Sequence, residues 1–435
     1  MESDQQKIKG EISLSRARQL MADGALEESL SIIKDYWLAN PDDGQAPELL
    51  AELLKDAGRQ ELAGKLEILA RRFNSEGENG NAPSAQELFE AGFGLIDIRQ
   101  HELAAMLLSR CVKLVKDEPV VNYELGFALM SLRRFQQATP YFELVASKAP
   151  DFDTYLNLAA CYSLTRRIKD AQAILQKIET LKLDNEQLME LGHRKTVLRR
   201  LESVNDKALL TLRDWLYILY GSILLRQGSR EQTIKEDPVS IGSMLALLKG
   251  VLHGLELDVE VIEFYGPQSR PLARAFAELL EIPFDSYKGP DRPERALLTM
   301  TWANDIIGPH KSFTQIQERR SLFCYGLTWD EPLPLVPEIV GCLGHDEPMP
   351  WRYRQPTPFH QDSASVFDEH EFDNEVEDAY KSILYNARDL ESDPGMIQNV
   401  QEAVDYYSDK KSSLMLGNAA SFPFRSEYTA ELNGS

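Results

Sequence analysis

The stretch PVVNYELGFALMSLRRFQQATPYFELVASKAP, residues 119–150, decides the fold of the first half of the chain. Its small residues Gly126 and Ala138 and its large Phe142 lie at helical spacings, and Pro150 closes the unit. A small residue on each helix of a pair lets the two backbones approach closely, and large apolar residues fill the gaps between neighbouring pairs. The stretch therefore predicts one helical hairpin.

The same pattern recurs on both sides of this stretch at a nearly constant period. Gly92 precedes Gly126 by 34 residues, and Ala159 follows it by 33. Gly24 and Gly58, also 34 residues apart, lie at turns between two helical patterns and indicate two earlier hairpins. Repetition at this period predicts an α-solenoid of five hairpins.

The pattern resembles the tetratricopeptide repeat (TPR) over roughly residues 10–182. Leu88, Asn122 and Tyr155 stand where such a repeat usually opens with tryptophan. The resemblance implies a protein or peptide bound on the concave face, which is lined by the first helix of each hairpin.

Seven side chains form the expected partner-binding groove. Three of them are spaced i, i+4 and i+7 on one helical stripe, and three more occupy the same positions 34 residues later. The groove residues are Phe89, Phe93, Ile96, Tyr123, Phe127, Met130 and Leu156. Aromatic side chains at these positions suit an apolar or amphipathic segment and do not suit a carboxylate clamp, which needs Lys and Asn there. In this respect the array looks like the repeat chaperones of type III secretion. The occupant is either another chain or the protein's own C-terminal region, which would cover an exposed apolar stripe.

In the second half of the chain, strand patterns alternate with helix patterns. Strands are expected at 215–225, 259–265, 295–303 and 321–328, and helices at 240–255 and 270–280, with a short Pro-rich helix near 336–343. This alternation predicts a three-layer, Rossmann-like α/β domain with a mostly parallel sheet.

The predicted organisation has six parts. They are hairpins 1 and 2 at 1–73, a flexible loop at 74–84, hairpins 3 to 5 at 85–182, capping or connecting helices at 183–213, the α/β domain at 214–344, and an acidic tail at 345–435. The tail contains two amphipathic helices, near 374–390 and 396–408, which could pack on the α/β domain or lie in the repeat groove.

Open parallel sheets bind ligands beyond the carboxyl ends of their strands. The candidate ligand-binding residues at those ends are Ser229, Arg230, Gly266, Ser269, Arg270, Asn304, Asp305 and Asp330. A glycine turn followed by Ser269 and Arg270 could offer backbone N–H groups, a hydroxyl and a guanidinium to an anion. Alternatively Gly266 makes a turn, Ser269 caps the helix and Arg270 is solvated.

Signatures of common enzymes and cofactor sites do not occur: the sequence has no GxGxxG after a strand, no GxxxxGK[ST], no GxSxG and no HExxH. No cofactor and no metal is therefore predicted, and whether the chain is an enzyme stays open.

The charge and cysteine content limit the possible partners. The chain of 435 residues has a formal net charge of -22, so no binding of nucleic acid or of an anionic membrane is expected. Four cysteines without a CxxC pair, and an acidic N-terminus unlike a signal peptide, are typical of a reduced cytoplasmic protein.

Two functions fit these patterns. The first is a scaffold, adaptor or chaperone-like protein that holds an apolar or amphipathic segment in its groove. The second is an enzyme or a small-ligand sensor that uses the strand ends, with the repeats recruiting a client.

Overall fold

The computed structural model describes residues 2–74, 82–204, 208–227, 233–234, 237–287, 289, 293–302, 319–327, 336–346 and 369–416. The chain divides into two compact units, Met1–Leu191 and Gly192–Ser435. The predicted fold class is confirmed, since the first unit is a TPR-like helical array and the second contains a parallel sheet with helices.

The described residues of the first unit form five helical hairpins. Their helices are α1 Glu2–Ala22 and α2 Leu26–Ala39, α3 Gln45–Asp56 and α4 Gln60–Asn74, α5 Ala85–Asp97 and α6 His101–Leu114, α7 Pro119–Ser131 and α8 Phe135–Lys148, and α9 Phe152–Leu164 and α10 Ile168–Glu179. Each helix packs on its hairpin partner. The small residues act as the sequence predicts: a Cβ atom on Gly92 would lie 2.9 Å from the Cγ of Leu108 on the neighbouring helix.

Every hairpin turns through one residue in the left-handed conformation. The first two turns use Gly24 and Gly58, with φ of 79° and 76°. The last three use Arg99, Arg133 and Arg166, with φ of 59°, 62° and 60°. A left-handed residue after a helix lets the chain reverse while backbone N–H groups bond to the last carbonyls of the helix. The repetition of this conformation is independent evidence that the five hairpins are equivalent units.

The second unit is built around a sheet. Its described helices are α11 Asn185–Val204, which begins before the unit boundary, α12 Leu212–Tyr220, α13 Pro238–Gly254, α14 Arg270–Leu280, α15 Glu369–Leu390 and α16 Pro394–Ser408. Its strands are β1 Ile223–Leu224, β2 Thr233–Ile234, β3 Val261–Phe264, β4 Phe284–Ser286, β5 Ala296–Trp302, β6 Arg320–Leu327, β7 Ile339–Leu343 and β8 His345–Asp346. The described strands form a six-stranded parallel sheet of order β1-β7-β6-β5-β3-β4, and β2 pairs separately with β8.

Two predicted elements are wrong. The stretch 215–225, predicted as a strand, is mostly the helix α12 followed by the short strand β1. Thr211 and Asp214 form a capping box at the start of this helix, and Gly221 ends it in the left-handed conformation. The stretch 336–343, predicted as a short helix, contains the buried strand β7.

The two tail helices pack on the sheet unit. The sequence left two placements open, on the α/β domain or in the repeat groove. In the structure, α15 packs against α13 and α14, and α16 packs against α13. Glycines on α13 allow this close packing: a Cβ on Gly250 would lie 2.5 Å from a methyl group of Val400 on α16. Helix α13 is therefore buried almost all round, between these helices and the sheet.

The amino-terminal edge strand β1 is covered by side chains. The buried backbone N–H of Leu224 donates a hydrogen bond to the hydroxyl of Tyr407 on α16, at 2.8 Å. The guanidinium of Arg213 on α12 donates to the carbonyls of Leu224 and Leu225. These bonds occupy backbone groups that an edge strand would otherwise leave open.

One ion pair is buried inside the sheet. Arg320 on β6 donates a hydrogen bond from Nε to Glu263 on β3 at 2.7 Å, and the two side chains are 6% and 1% exposed. The Arg320 guanidinium also lies 4.9 Å from the ring centre of Tyr287. A pair this deeply buried requires good geometry to offset its loss of hydration. The pair fixes β3 and β6 on the two sides of β5.

Candidate functional site

The groove side chains lie on helices that contact one another in succession. Helix α5 packs on α7, and α7 packs on α9. Because these are the first helices of hairpins 3, 4 and 5, they form one continuous wall of the array.

On α5, two aromatic rings form a pair, one ring exposed and the other half-buried. The rings of Phe89 and Phe93 are stacked, with centroids 5.9 Å apart and planes inclined by 24°. Phe93 is 41% exposed, and Phe89 and Ile96 are half-buried. A phenylalanine this exposed on a well-packed helix is available to another molecule.

On α7, the corresponding side chains are half-buried and held in place. The ring of Tyr123 meets Phe142 edge-on at 5.7 Å, and its hydroxyl accepts a hydrogen bond from Asn157 Nδ2 at 3.1 Å. The ring of Phe127 meets His101 edge-on at 6.3 Å. These contacts fix the ring positions before any partner binds, which reduces the ordering cost of binding.

The seven predicted residues are not equally accessible. Six of them, on α5 and α7, are half-buried or exposed, whereas Leu156 on α9 is only 8% exposed. The accessible apolar surface is therefore centred on hairpins 3 and 4.

Carboxylates surround this apolar surface, and the sequence prediction did not include them. Glu124 on α7 is half-buried, and its pKa is raised by burial and by the nearby carboxylate of Asp97 on α5. Burial, followed by the charges of Asp153, Glu124 and Asp151, raises the pKa of Tyr123 to about 12. Charge counted helix by helix could have revealed them, because α5, α7 and α9 contain no lysine and no arginine.

An imidazole ring lies next to Phe127, at the border of the groove. Burial and the neighbouring Arg99 lower the pKa of His101. This environment favours the uncharged form of the imidazole.

In the sheet unit, the strand order defines a second candidate position. The chain passes from β3 outward to β4 and then returns to β5 on the other side of β3. This reversal is a topological switch point, where open α/β sheets form a crevice at the carboxyl ends of the strands. The predicted residues Gly266, Ser269 and Arg270 follow β3 at this point.

The residues after β3 make structural contacts. Gly266 turns the chain with a φ of 73°, as predicted. Ser269 stands at the start of α14 without capping it, and its hydroxyl accepts a hydrogen bond from the backbone N–H of Thr301 on β5 at 3.2 Å. Ser269 is 3% exposed and Arg270 is half-buried. The serine therefore ties β5 to the turn after β3. The predicted residues Ser229, Arg230, Asn304, Asp305 and Asp330 lie outside the described residues.

The described residues contain no group of three or more side chains suited to hold a metal ion. The four cysteines are buried and free of disulfides. None of the described helices combines the length and the apolar character that crossing a membrane requires.

Comparison with known proteins matches no family model and no curated protein. Among solved structures, the chain is similar to YrrB, a TPR protein with an unusual peptide-binding site, with 19% identity, a TM-score of 0.27, and coverage of 42% of this chain and 90% of YrrB. PilF of Pseudomonas aeruginosa is 18% identical, with a TM-score of 0.26 over 46% of this chain and 87% of PilF. MamA is 18% identical, with a TM-score of 0.26 over 42% of this chain and 98% of MamA. These similarities concern the fold alone.

Proposed function

We propose that this protein is a scaffold, an adaptor or a chaperone-like protein that holds an apolar or amphipathic segment of a partner protein in the groove of its TPR array. The observation that supports it most directly is the stacked pair of half-buried Phe89 and exposed Phe93 on α5, a helix that contacts α7 with its rings Tyr123 and Phe127. Preformed aromatic surfaces of this kind contribute much of the energy in protein interfaces. The four buried cysteines, none of them in a disulfide, favour a cytoplasmic location for this activity.

The test is the double variant Phe93→Asp/Phe127→Asp, which places two carboxylates in the apolar surface. We expect the variant to lose its partners in affinity capture from the native host, while the circular dichroism spectrum keeps its helical signal. A single hot-spot aromatic residue typically contributes about 2 kcal/mol or more, so the double variant should lose at least about thirtyfold in affinity.

The matched control is Ile68→Asp/Leu114→Asp, which changes two exposed apolar residues on the second helices α4 and α6. This control adds the same charge and should retain the partners. If the aspartate variant loses its helical signal, the affinity capture is repeated with Phe93→Ala/Phe127→Ala, because alanine favours the helix. Unchanged partners in both groove variants would refute the proposal.

The alternative function, an enzyme or a small-ligand sensor, is favoured by the switch point between β3 and β5. On this alternative, the turn Gly266–Arg270 would contact an anionic group of the ligand. Inorganic phosphate and nucleotides would then raise the melting temperature of the full chain, and Arg270→Ala would reduce that rise. No rise with any of these anions would remove the support for this alternative.

A further inference from the structure

The wall of the groove has one sign of charge. Helices α5, α7 and α9 carry five carboxylates and no lysine or arginine. The second helices α6, α8 and α10 carry both signs. The five carboxylates are Glu87, Glu90, Asp97, Glu124 and Asp153. The asymmetry therefore belongs to the first helices of hairpins 3 to 5 and does not follow from the acidic composition alone.

Four of these carboxylates form no ion pair within the described part of the chain. Glu87 pairs with Arg72 at 2.9 Å. By contrast, no ion pair among the described residues involves Glu90, Asp97, Glu124 or Asp153. On the second helices the pattern differs, since Glu143 on α8 pairs with Arg167.

Two of the carboxylates occupy positions that cost stability. Glu124 is half-buried and close to Asp97, so the two negative charges repel each other. Asp97 is the last residue of α5, where the helix dipole disfavours a negative charge. A bound cation between these two helices would relieve both costs.

Hairpin 2 extends the acidic surface. Counted from the left-handed turn residues Gly58 and Arg99, the positions of Phe89 and Phe93 correspond to Glu48 and Glu52 on α3. Both glutamates are exposed. A segment that follows the wall from hairpin 4 to hairpin 2 would thus pass from an aromatic surface to an acidic one.

We infer that the segment held in the groove is amphipathic and basic, with lysine or arginine side chains beside its apolar ones. This inference rests on the proposed function, and charge complementarity between the acidic wall and the partner supports it. The chain's own C-terminal residues 417–435 do not fit, since they contain one arginine and two glutamates. We therefore take the occupant to be a segment of another protein.

The test uses three synthetic amphipathic peptides of about 18 residues, roughly five helical turns. All three share one apolar face of leucine and phenylalanine, and their polar faces carry lysine, glutamine or glutamate. Fluorescence anisotropy with the full chain measures their affinities. We expect the lysine peptide to bind at least tenfold more tightly than the glutamate peptide at low salt, and this ratio to shrink in about 1 M salt, where charges are screened.

The variant Asp97→Asn/Glu124→Gln should reduce the affinity for the lysine peptide to that for the glutamine peptide. Its matched control, Glu27→Gln/Glu28→Gln, removes two exposed carboxylates from the second helix α2 and should leave the ratio unchanged. Phe93→Asp/Phe127→Asp should abolish binding of the glutamine peptide.

The possible outcomes separate the two claims. Equal binding of the lysine and glutamate peptides, lost in the Phe93 and Phe127 variant, would overturn the charge inference and leave the groove function standing. Binding of no peptide, or binding indifferent to Phe93 and Phe127, would overturn both. A tighter lysine-peptide complex after deletion of residues 417–435 would show that the chain's own end occupies the groove, and would overturn the inference of a separate partner.

Discussion

At the scale of single residues, three arginines occupy a backbone conformation that favours glycine. Arg99, Arg133 and Arg166 have positive φ at turns where the first two hairpins use glycine. A non-glycine residue in this conformation costs roughly 1–2 kcal/mol. A change to glycine would recover only part of this free energy, because glycine has greater conformational freedom in the unfolded chain. These turns therefore hold strain that the fold tolerates.

The substitution Arg99→Gly is expected to stabilise the repeat unit by about 0.5–1 kcal/mol, because it removes this strain. The opposite substitution at an equivalent turn, Gly58→Ala, is expected to destabilise it by about 1 kcal/mol. A Cβ on Gly58 would meet no atom within 4 Å, so backbone strain is the only cost. Calorimetric melting of the full chain measures both changes, and a destabilising Arg99→Gly would contradict the explanation.

The raised pKa of Glu124 predicts a stability that depends on pH. Burial and Asp97 make the folded protein bind this proton more tightly than the unfolded chain does. The folded state therefore loses stability as the pH rises from the unfolded pKa through the raised folded pKa. Glu124→Gln should thus raise the melting temperature at about pH 7 and change it little at about pH 4.

The matched control for this prediction is Glu28→Gln, an exposed residue on α2. If Glu124→Gln raises the melting temperature as much at the acidic pH as at the neutral pH, ionisation of Glu124 is not the cause of the rise.

Residue spacing predicts which groove side chains share a helical face, but it does not predict how exposed they are. A spacing of i, i+4 and i+7 places Phe89, Phe93 and Ile96 on one helical face, which follows from the pitch of the helix. Exposure depends on neighbours that are distant in sequence, so the burial of Leu156 was not predictable from spacing. No single carboxylate beside the rings stands out in the repeat pattern, and only the lack of lysine and arginine on α5, α7 and α9 distinguishes them.

At the scale of elements, close packing of α13 depends on glycine. Gly250→Ala would place a methyl group 2.5 Å from the stiff side chain of Val400, and overpacking of this kind costs about 1–3 kcal/mol. The same substitution at Gly192, an exposed position of α11 with no atom within 4 Å, should stabilise the protein by up to about 1 kcal/mol. Chemical denaturation, monitored by a signal from the second unit, gives the free energy of unfolding of each variant. Equal changes in the two variants would be inconsistent with the packing described.

The wrongly predicted elements have a common physical cause. An apolar run without alternation fits a buried helix as well as a buried strand, so residues 215–220 were ambiguous. Thr211 and Asp214, three residues apart, were the signal for a helix start. Prolines around β7 favoured a turn or helix over a strand, but they lie outside its five residues, Ile339–Leu343.

At the scale of the whole molecule, the two units were predictable to different degrees. The repeats were predictable because each hairpin contacts its sequence neighbours, so a local pattern determines the fold. The order of strands in the sheet was not, since it depends on pairings such as β1 with β7, more than 100 residues apart. The buried pair Glu263 and Arg320 depends on that order, and sequence reasoning gave no sign of it.

The hydrogen bond between Leu224 and Tyr407 has a consequence for synthesis of the chain. During translation, β1 is synthesised long before α16. The open edge of β1 is therefore uncovered until α16 has been made. A nascent or truncated chain that ends before residue 394 would present this margin to other copies, and aggregation is the usual result of such exposure. Chains that lack α16 are therefore expected to aggregate more readily during synthesis than the full chain.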